Sequence, residues 1–181
     1  MNNIILYTLI TLLAAALYSD PAAAQPTEPL TTVELVDLSR YVGLWYEIAK
    51  IPNRFQKKCA ANTTAEYVLR EDGRIDVLNS CFTADGKKIR AKGVARIVDT
   101  ATNAKLQVSF VSLLGMRLFW GDYWIIGLGE NYEYAVIGHP QRKYGWILSR
   151  TPQLEPATLD AIHLLLREKG YIRDEFVMTQ Q

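Results

Sequence analysis

Over residues 43–150 the chain alternates apolar and polar positions in short runs broken by turn residues, the period-two pattern of strands with one face on a core. Residues 45–50 form the first run. Residues 63–70 and 74–82 are joined across Glu71-Asp72-Gly73, and Asp85-Gly86 leads into a fourth run, where Ile89, Ala91, Gly93, Ala95 and Ile97 alternate with Lys88, Arg90, Lys92 and Arg96. Residues 105–111, 123–128, 133–138 and 145–150 bring the set to eight strands. After Pro152 the period becomes helical: Pro156 opens a helix, Leu159, Ile162, Leu165 and Leu166 form one stripe, and Gly170 ends it. Phe176-Val177-Met178 suits a short final strand. Eight meandering strands close most economically as an up-and-down antiparallel barrel, because closure removes the edges, and the helix then covers the outside. An all-β barrel of this size holds one small ligand.

Residues 1–24 have a different character. Ile4 to Leu17 is almost wholly apolar yet short for a bilayer span, and Ser19-Asp20-Pro21-Ala22-Ala23-Ala24 offers small residues for cleavage before Gln25. A signal peptide is predicted, with residues 25–34 a flexible leader and residues 35–181 a single domain. The protein is expected to be exported, periplasmic or secreted, with association to the outer membrane open. No cysteine stands in or beside this segment to carry a lipid anchor.

Twenty basic and nineteen acidic residues give no global field to attract nucleic acid, so no nucleic-acid partner is expected. Cys59 and Cys81 are the two cysteines, and an oxidising compartment favours their pairing. His139 and His163 lack metal-ligand spacing, so neither a metal nor another cofactor is predicted.

Gly43-Leu44-Trp45-Tyr46-Glu47-Ile48-Ala49 resembles the first signature of the lipocalins, and Trp146-Ile147-Leu148-Ser149-Arg150-Thr151-Pro152 resembles the third. The resemblance covers about residues 35–181, and residues 59–69 and 150–152 are most similar to the bacterial and apolipoprotein D branch. It implies that Arg150 packs across Trp45 next to Gly43 in a structural role. It also implies binding, storage or transport of a fatty acid, lysophospholipid or similar amphiphile, in bacteria linked to envelope maintenance, and no catalysis. The second signature is degenerate here as Gly129-Glu130-Asn131-Tyr132.

Strand parity assigns the ligand contacts, since every second residue faces inward. With Trp45 inward, Glu47 and Ala49 follow; Arg150 brings Leu148 and Trp146. The rest of the inward set is Ala65, Tyr67, Ile75, Val77, Asn79, Ala91, Ala95, Val108, Phe110, Tyr123, Ile125, Tyr134 and Val136. Tyr67, Asn79, Phe110, Tyr123, Tyr134 and Trp146 are the predicted ligand-lining residues. Glu47, an inward carboxylate, needs a partner such as a tyrosine and reads as structural.

The loops predicted around the mouth carry Arg54, Lys57, Lys58, Lys87, Arg117, Arg142 and Lys143, whereas the opposite turns hold Glu71, Asp72, Asp99 and Glu130. Loop 112–122 is also strongly apolar, which suits either a lid over the pocket or contact with an anionic membrane. Two competing readings are a lipid-modifying enzyme that uses a pocket cysteine and a protein-interaction module. Haem binding lacks an inward histidine.

Overall fold

The computed structural model describes residues 28–181, so the predicted signal peptide lies outside the described residues. A short helix α1 (Leu38–Tyr41) leads into β1 (Gly43–Lys50), β2 (Ala61–Leu69), β3 (Ile75–Phe82), β4 (Lys88–Ile97) and β5 (Lys105–Ser109). Two three-residue strands, β6 (Val111–Leu113) and β7 (Met116–Leu118), make a separate hairpin. The wall resumes with β8 (Gly121–Leu128), β9 (Tyr134–Gly138) and β10 (Gly145–Ser149), followed by helix α2 (Pro156–Glu168) and β11 (Val177–Met178). All pairings between these strands are antiparallel, and β10 returns to pair with β1. The result is a closed eight-stranded barrel with one helix outside, as predicted.

Closure removes the unpaired edges, and the alternation of side chains then separates two cores. Inside, Trp45, Tyr67, Ile75, Val77, Ala95, Leu106, Tyr123, Ile125 and Leu148 form one cluster. Outside, Ile162 and Leu166 of α2 pack on Ile126, Val136 and Ile147. The helix comes so close to β8 that a Cβ on Gly127 would lie 2.4 Å from Leu165. Pro156 opens this helix, and Gly170 follows its end at φ +77°, as the sequence predicts.

Three expectations are corrected. The leader is not free from residue 28 onward: Leu30 is buried in the outer cluster, Val33 N–H donates to Ile125 O at 3.0 Å and Val36 N–H to Thr102 O at 2.8 Å. Ala49 faces outward, because β1 bulges between Glu47 and Ala49 and the extra residue reverses parity beyond it. Tyr134 and Val136 also face outward: Ala135 stands opposite the inward Leu148, and α2 makes the outer face of β9 as apolar as the inner one.

The fifth strand ends at Ser109 rather than Val111. Phe110 turns over Gly93, where a Cβ would stand 2.7 Å from its ring, so a glycine is required there for the aromatic to seat.

Cys59 and Cys81 are bonded, with Cα atoms 5.5 Å apart and 22 residues between them in sequence. Removing the bond in a Cys59→Ser/Cys81→Ser variant is expected to cost roughly 3 kcal/mol through the freed unfolded chain. Denaturant midpoints of the two proteins check this, and equal midpoints would contradict it.

Candidate functional site

The strands run so that β1 rises from a closed base at Gly43 to the mouth at Lys50, and each neighbour runs opposite. The base is sealed by residues 33–42, with Val36 and Tyr41 buried. Arg150 stacks on Trp45 at 3.7 Å from the ring centroid and donates to the carbonyls of Leu44, Arg40, Tyr41 and Val42 at 2.6–3.1 Å. Their role is therefore structural, as the resemblance implies.

Above the base, three tyrosines make a floor. The Tyr123 hydroxyl is 2.7 Å from that of Tyr41 and 3.0 Å from that of Tyr67, so the polar ends satisfy one another in the core. Desolvation holds the Tyr67 hydroxyl up at about 12 and pushes Tyr41 and Tyr123 well above the ordinary tyrosine range. Tyr67 and Tyr123 thus lie in the floor.

A polar network stands nearer the mouth. The bulge that turns Ala49 outward turns Lys50 inward, opposite Trp146. Glu47, almost wholly buried, accepts from Lys50 Nζ at 2.6 Å, from Gln56 Nε2 at 2.5 Å and from Thr179 Oγ1 at 2.7 Å. Its partner is an ammonium group rather than a tyrosine, and the carboxylate is both paired and fully hydrogen-bonded. Gln56 Oε1 in turn accepts from Trp146 Nε1 at 3.0 Å, which fixes that indole at the mouth. Gln56 sits in a short turn capped by Asn53, whose Oδ1 accepts from Phe55 N and Gln56 N. Pro52-Asn53 is a readable turn signal, but the register that delivers Lys50 and Gln56 to the interior depends on the bulge.

Asn79 is inward and half-buried, across from Ala65, and its Oδ1 has no partner among the protein atoms. Thr63, one inward step nearer the mouth on β2, is buried with its Oγ1 likewise unpartnered. Phe110 lies over Gly93 on the neighbouring strand β4. Tyr134 does not join these residues, being packed beneath α2. Of the predicted basic rim, Arg54, Lys57, Lys58, Lys87 and Lys143 are exposed and Arg117 half-exposed. Arg142 instead donates to Lys169 O and Glu28 O, lashing the N-terminal segment to the end of α2. Both cysteines are joined, so the thiol that a cysteine enzyme needs is absent.

A family model described as a lipocalin-like domain matches residues 36–181. Temperature-induced lipocalin-1 of Arabidopsis thaliana is 40% identical over 84% of this chain and 83% of its own length. Outer membrane lipoprotein Blc of Escherichia coli K12 is 35% identical over 93% of each chain. Apolipoprotein D of Mus musculus is 34% identical over 86% of this chain and 82% of its own. Among solved structures, insecticyanin from the tobacco hornworm Manduca sexta superposes with a TM-score of 0.68 at 25% identity, covering 84% of both chains.

The tyrosine floor makes stability depend on pH at the alkaline end. A hydroxyl whose value is raised on folding contributes stability in full below the unfolded value of about 10, and loses it as pH rises through the folded value. Denaturant midpoints are expected to stay flat between about pH 8 and about pH 10 and to fall above it. Tyr67→Phe should shallow that fall. Tyrosinate absorbance from Tyr41, Tyr67 and Tyr123 while the protein remains folded near pH 10 would contradict a sealed floor.

Proposed function

The chain belongs to the lipocalin family, and from that premise we propose that it binds, stores or carries one fatty acid or lysophospholipid in the barrel, acyl chain down and head group at the mouth. The observation that supports this most is the vertical ordering of the interior. The tyrosine hydroxyls are consumed among themselves at the bottom, while Glu47, Lys50, Gln56 and the unpartnered oxygens of Asn79 and Thr63 stand above them. An acyl chain matches the lower surface and a polar head the upper one. Asn79, Phe110 and Trp146 would line the ligand, with Tyr67 and Tyr123 beneath it.

The exposed lysines and arginines of the mouth loops favour an anionic head, each worth about 1 kcal/mol at most against an anionic surface and less in salt. Export and a place in the cell envelope fit this reading, supported by the disulfide and by the likeness to an outer membrane lipoprotein. The role is binding rather than catalysis: with Cys59 and Cys81 bonded, no nucleophilic thiol faces the ligand.

Trp146 is positioned to report occupancy. Trp45 is sealed under Arg150, Trp124 packs in the outer cluster and Trp120 lies under Arg96, which leaves Trp146 as the inward indole at the mouth. Titration with a fatty acid or lysophospholipid is expected to change tryptophan fluorescence, and Trp146→Phe to remove most of that change. Native mass spectrometry of the purified protein should show a single amphiphile adduct. Absence of both signals would reject the reading in favour of a protein-interaction module.

A further inference from the structure

We propose that the β6–β7 hairpin is a membrane-insertion element that, together with Phe55 across the opening, seats the mouth of the barrel on an anionic bilayer. This deepens the reading of the mouth as a lipid-facing rim and rests on it.

The apolar side chains of the hairpin are open to solvent: Leu113, Leu114, Met116 and Phe119 are 57, 90, 60 and 81% exposed. The two most exposed of these residues, Leu114 and Phe119, also have left-handed backbone conformations, at φ +49° and +56°. Bulky side chains are disfavoured there, and turn chemistry alone would select Gly or Asn. A water-facing turn therefore has neither a solvation nor a conformational reason to hold them. Insertion into hydrocarbon supplies one.

The base of the hairpin is fixed, which argues against a lid. Ser109 Oγ lies 2.5 Å from Leu118 O and 3.2 Å from Val111 O, tying both strands to the end of β5. The Arg96 guanidinium covers Trp120 at 4.3 Å and is itself held by Gln107 Oε1 at 2.7 and 3.1 Å. Phe110 is the residue that turns inward over Gly93, and the apolar tip lies beyond it.

Ring order supplies the second contact. Going around the barrel as β1, β2, β3, β4, β5, β8, β9 and β10, the β1–β2 and β5–β8 connections are half a circumference apart at the same end. The first carries Phe55, 65% exposed, with Arg54 over its ring at 5.2 Å and with Lys57 and Lys58 beside it. The second carries the hairpin, whose one charged residue is Arg117. Two apolar prongs on opposite sides of the opening, each flanked by cations, define a plane across the mouth. That arrangement suits an anionic bilayer, which takes apolar side chains into its acyl boundary and attracts the cations at its head groups. Asp85 is the acidic residue of the intervening β3–β4 turn, and its carboxylate is occupied by the Thr83 hydroxyl.

The test is flotation of the exported chain, freed of the leader predicted over residues 1–24, with vesicles of phosphatidylcholine alone or mixed with phosphatidylglycerol. Leu114→Asn/Phe119→Asn is the informative variant, because asparagine accepts the left-handed conformation and the hairpin keeps its shape. Wild type is expected to float with the anionic vesicles in a salt-sensitive way. The double variant should lose at least about tenfold in partitioning while keeping the Trp146 response to fatty acid in solution. Equal flotation of variant and wild type, or no flotation of wild type on either lipid, would overturn the inference. So would self-association of wild type abolished in the variant without vesicle binding, which would make the occupant a second copy. Flotation as expected without any Trp146 response would overturn the cargo reading alone.

Discussion

The guanidinium of Arg150 lies flat on Trp45, and its N–H groups reach the carbonyls of residues that come from a different part of the chain. Those acceptors include the carbonyls of Arg40 and Tyr41 at the end of α1, where a helix leaves oxygens without intrahelical partners. Trp45 Nε1 adds a bond to Tyr41 O at 2.8 Å. One planar cation thus joins the end of β10, the start of β1 and the segment beneath the barrel. A lysine could supply the charge but neither the flat face nor the fork of donors. Gly43 belongs to the same constraint, since its φ of +98° suits glycine and a Cβ there would approach Arg150 Nη1 to 3.4 Å. Everything above depends on this closure, because β1 and β10 must meet in register for the interior to exist.

The eight strands, the helix, its proline start and glycine stop, and the cysteine pair were legible because each rests on local chemistry: period, turn residues, capping and compartment. The faces of two strands were not. On β9 both sets, the half-buried Tyr134 and buried Val136 against the buried Ala135 and Ile137, are apolar and covered, so alternation carries no information about which one is inside. On β1 the error has another source. A bulge leaves no mark in Glu47-Ile48-Ala49-Lys50, yet it exchanges Ala49 for Lys50 in the interior and so supplies the cation that Glu47 needs. Tyr67, Asn79, Tyr123 and Trp146 face inward as expected because their strands alternate strictly between them and inward neighbours such as Ala65, Val77, Ile125 and Leu148.

Arg142 shows a limit of reading charge from topology alone. It sits in a mouth loop, yet its guanidinium is spent on Lys169 O and Glu28 O. Whether a cation on a loop faces a partner or holds the fold depends on carbonyls brought in from distant segments, which no local pattern encodes. The same holds for the hairpin: its apolar composition was plain, but the way its base is held follows from Ser109 and Arg96.

Near the mouth, β1 and β2 part, and residues 177–181 fill the gap. Val177 and Met178 pair with Lys50 and Ala49, Thr179 N–H bonds Ile48 O, Gln180 bridges Ala61, and the Gln181 amide donates to the carbonyls of both Glu47 and Thr63. Thr179 meets Glu47 across 132 positions of chain. Such contacts carry the entropy of closing a long loop, which the local hairpins do not. Without the tail, the buried carboxylate of Glu47 lacks one of its three donors. The wall is sealed in the manner of a drawstring, and a chain short of these residues would have an open seam between β1 and β2 near the mouth.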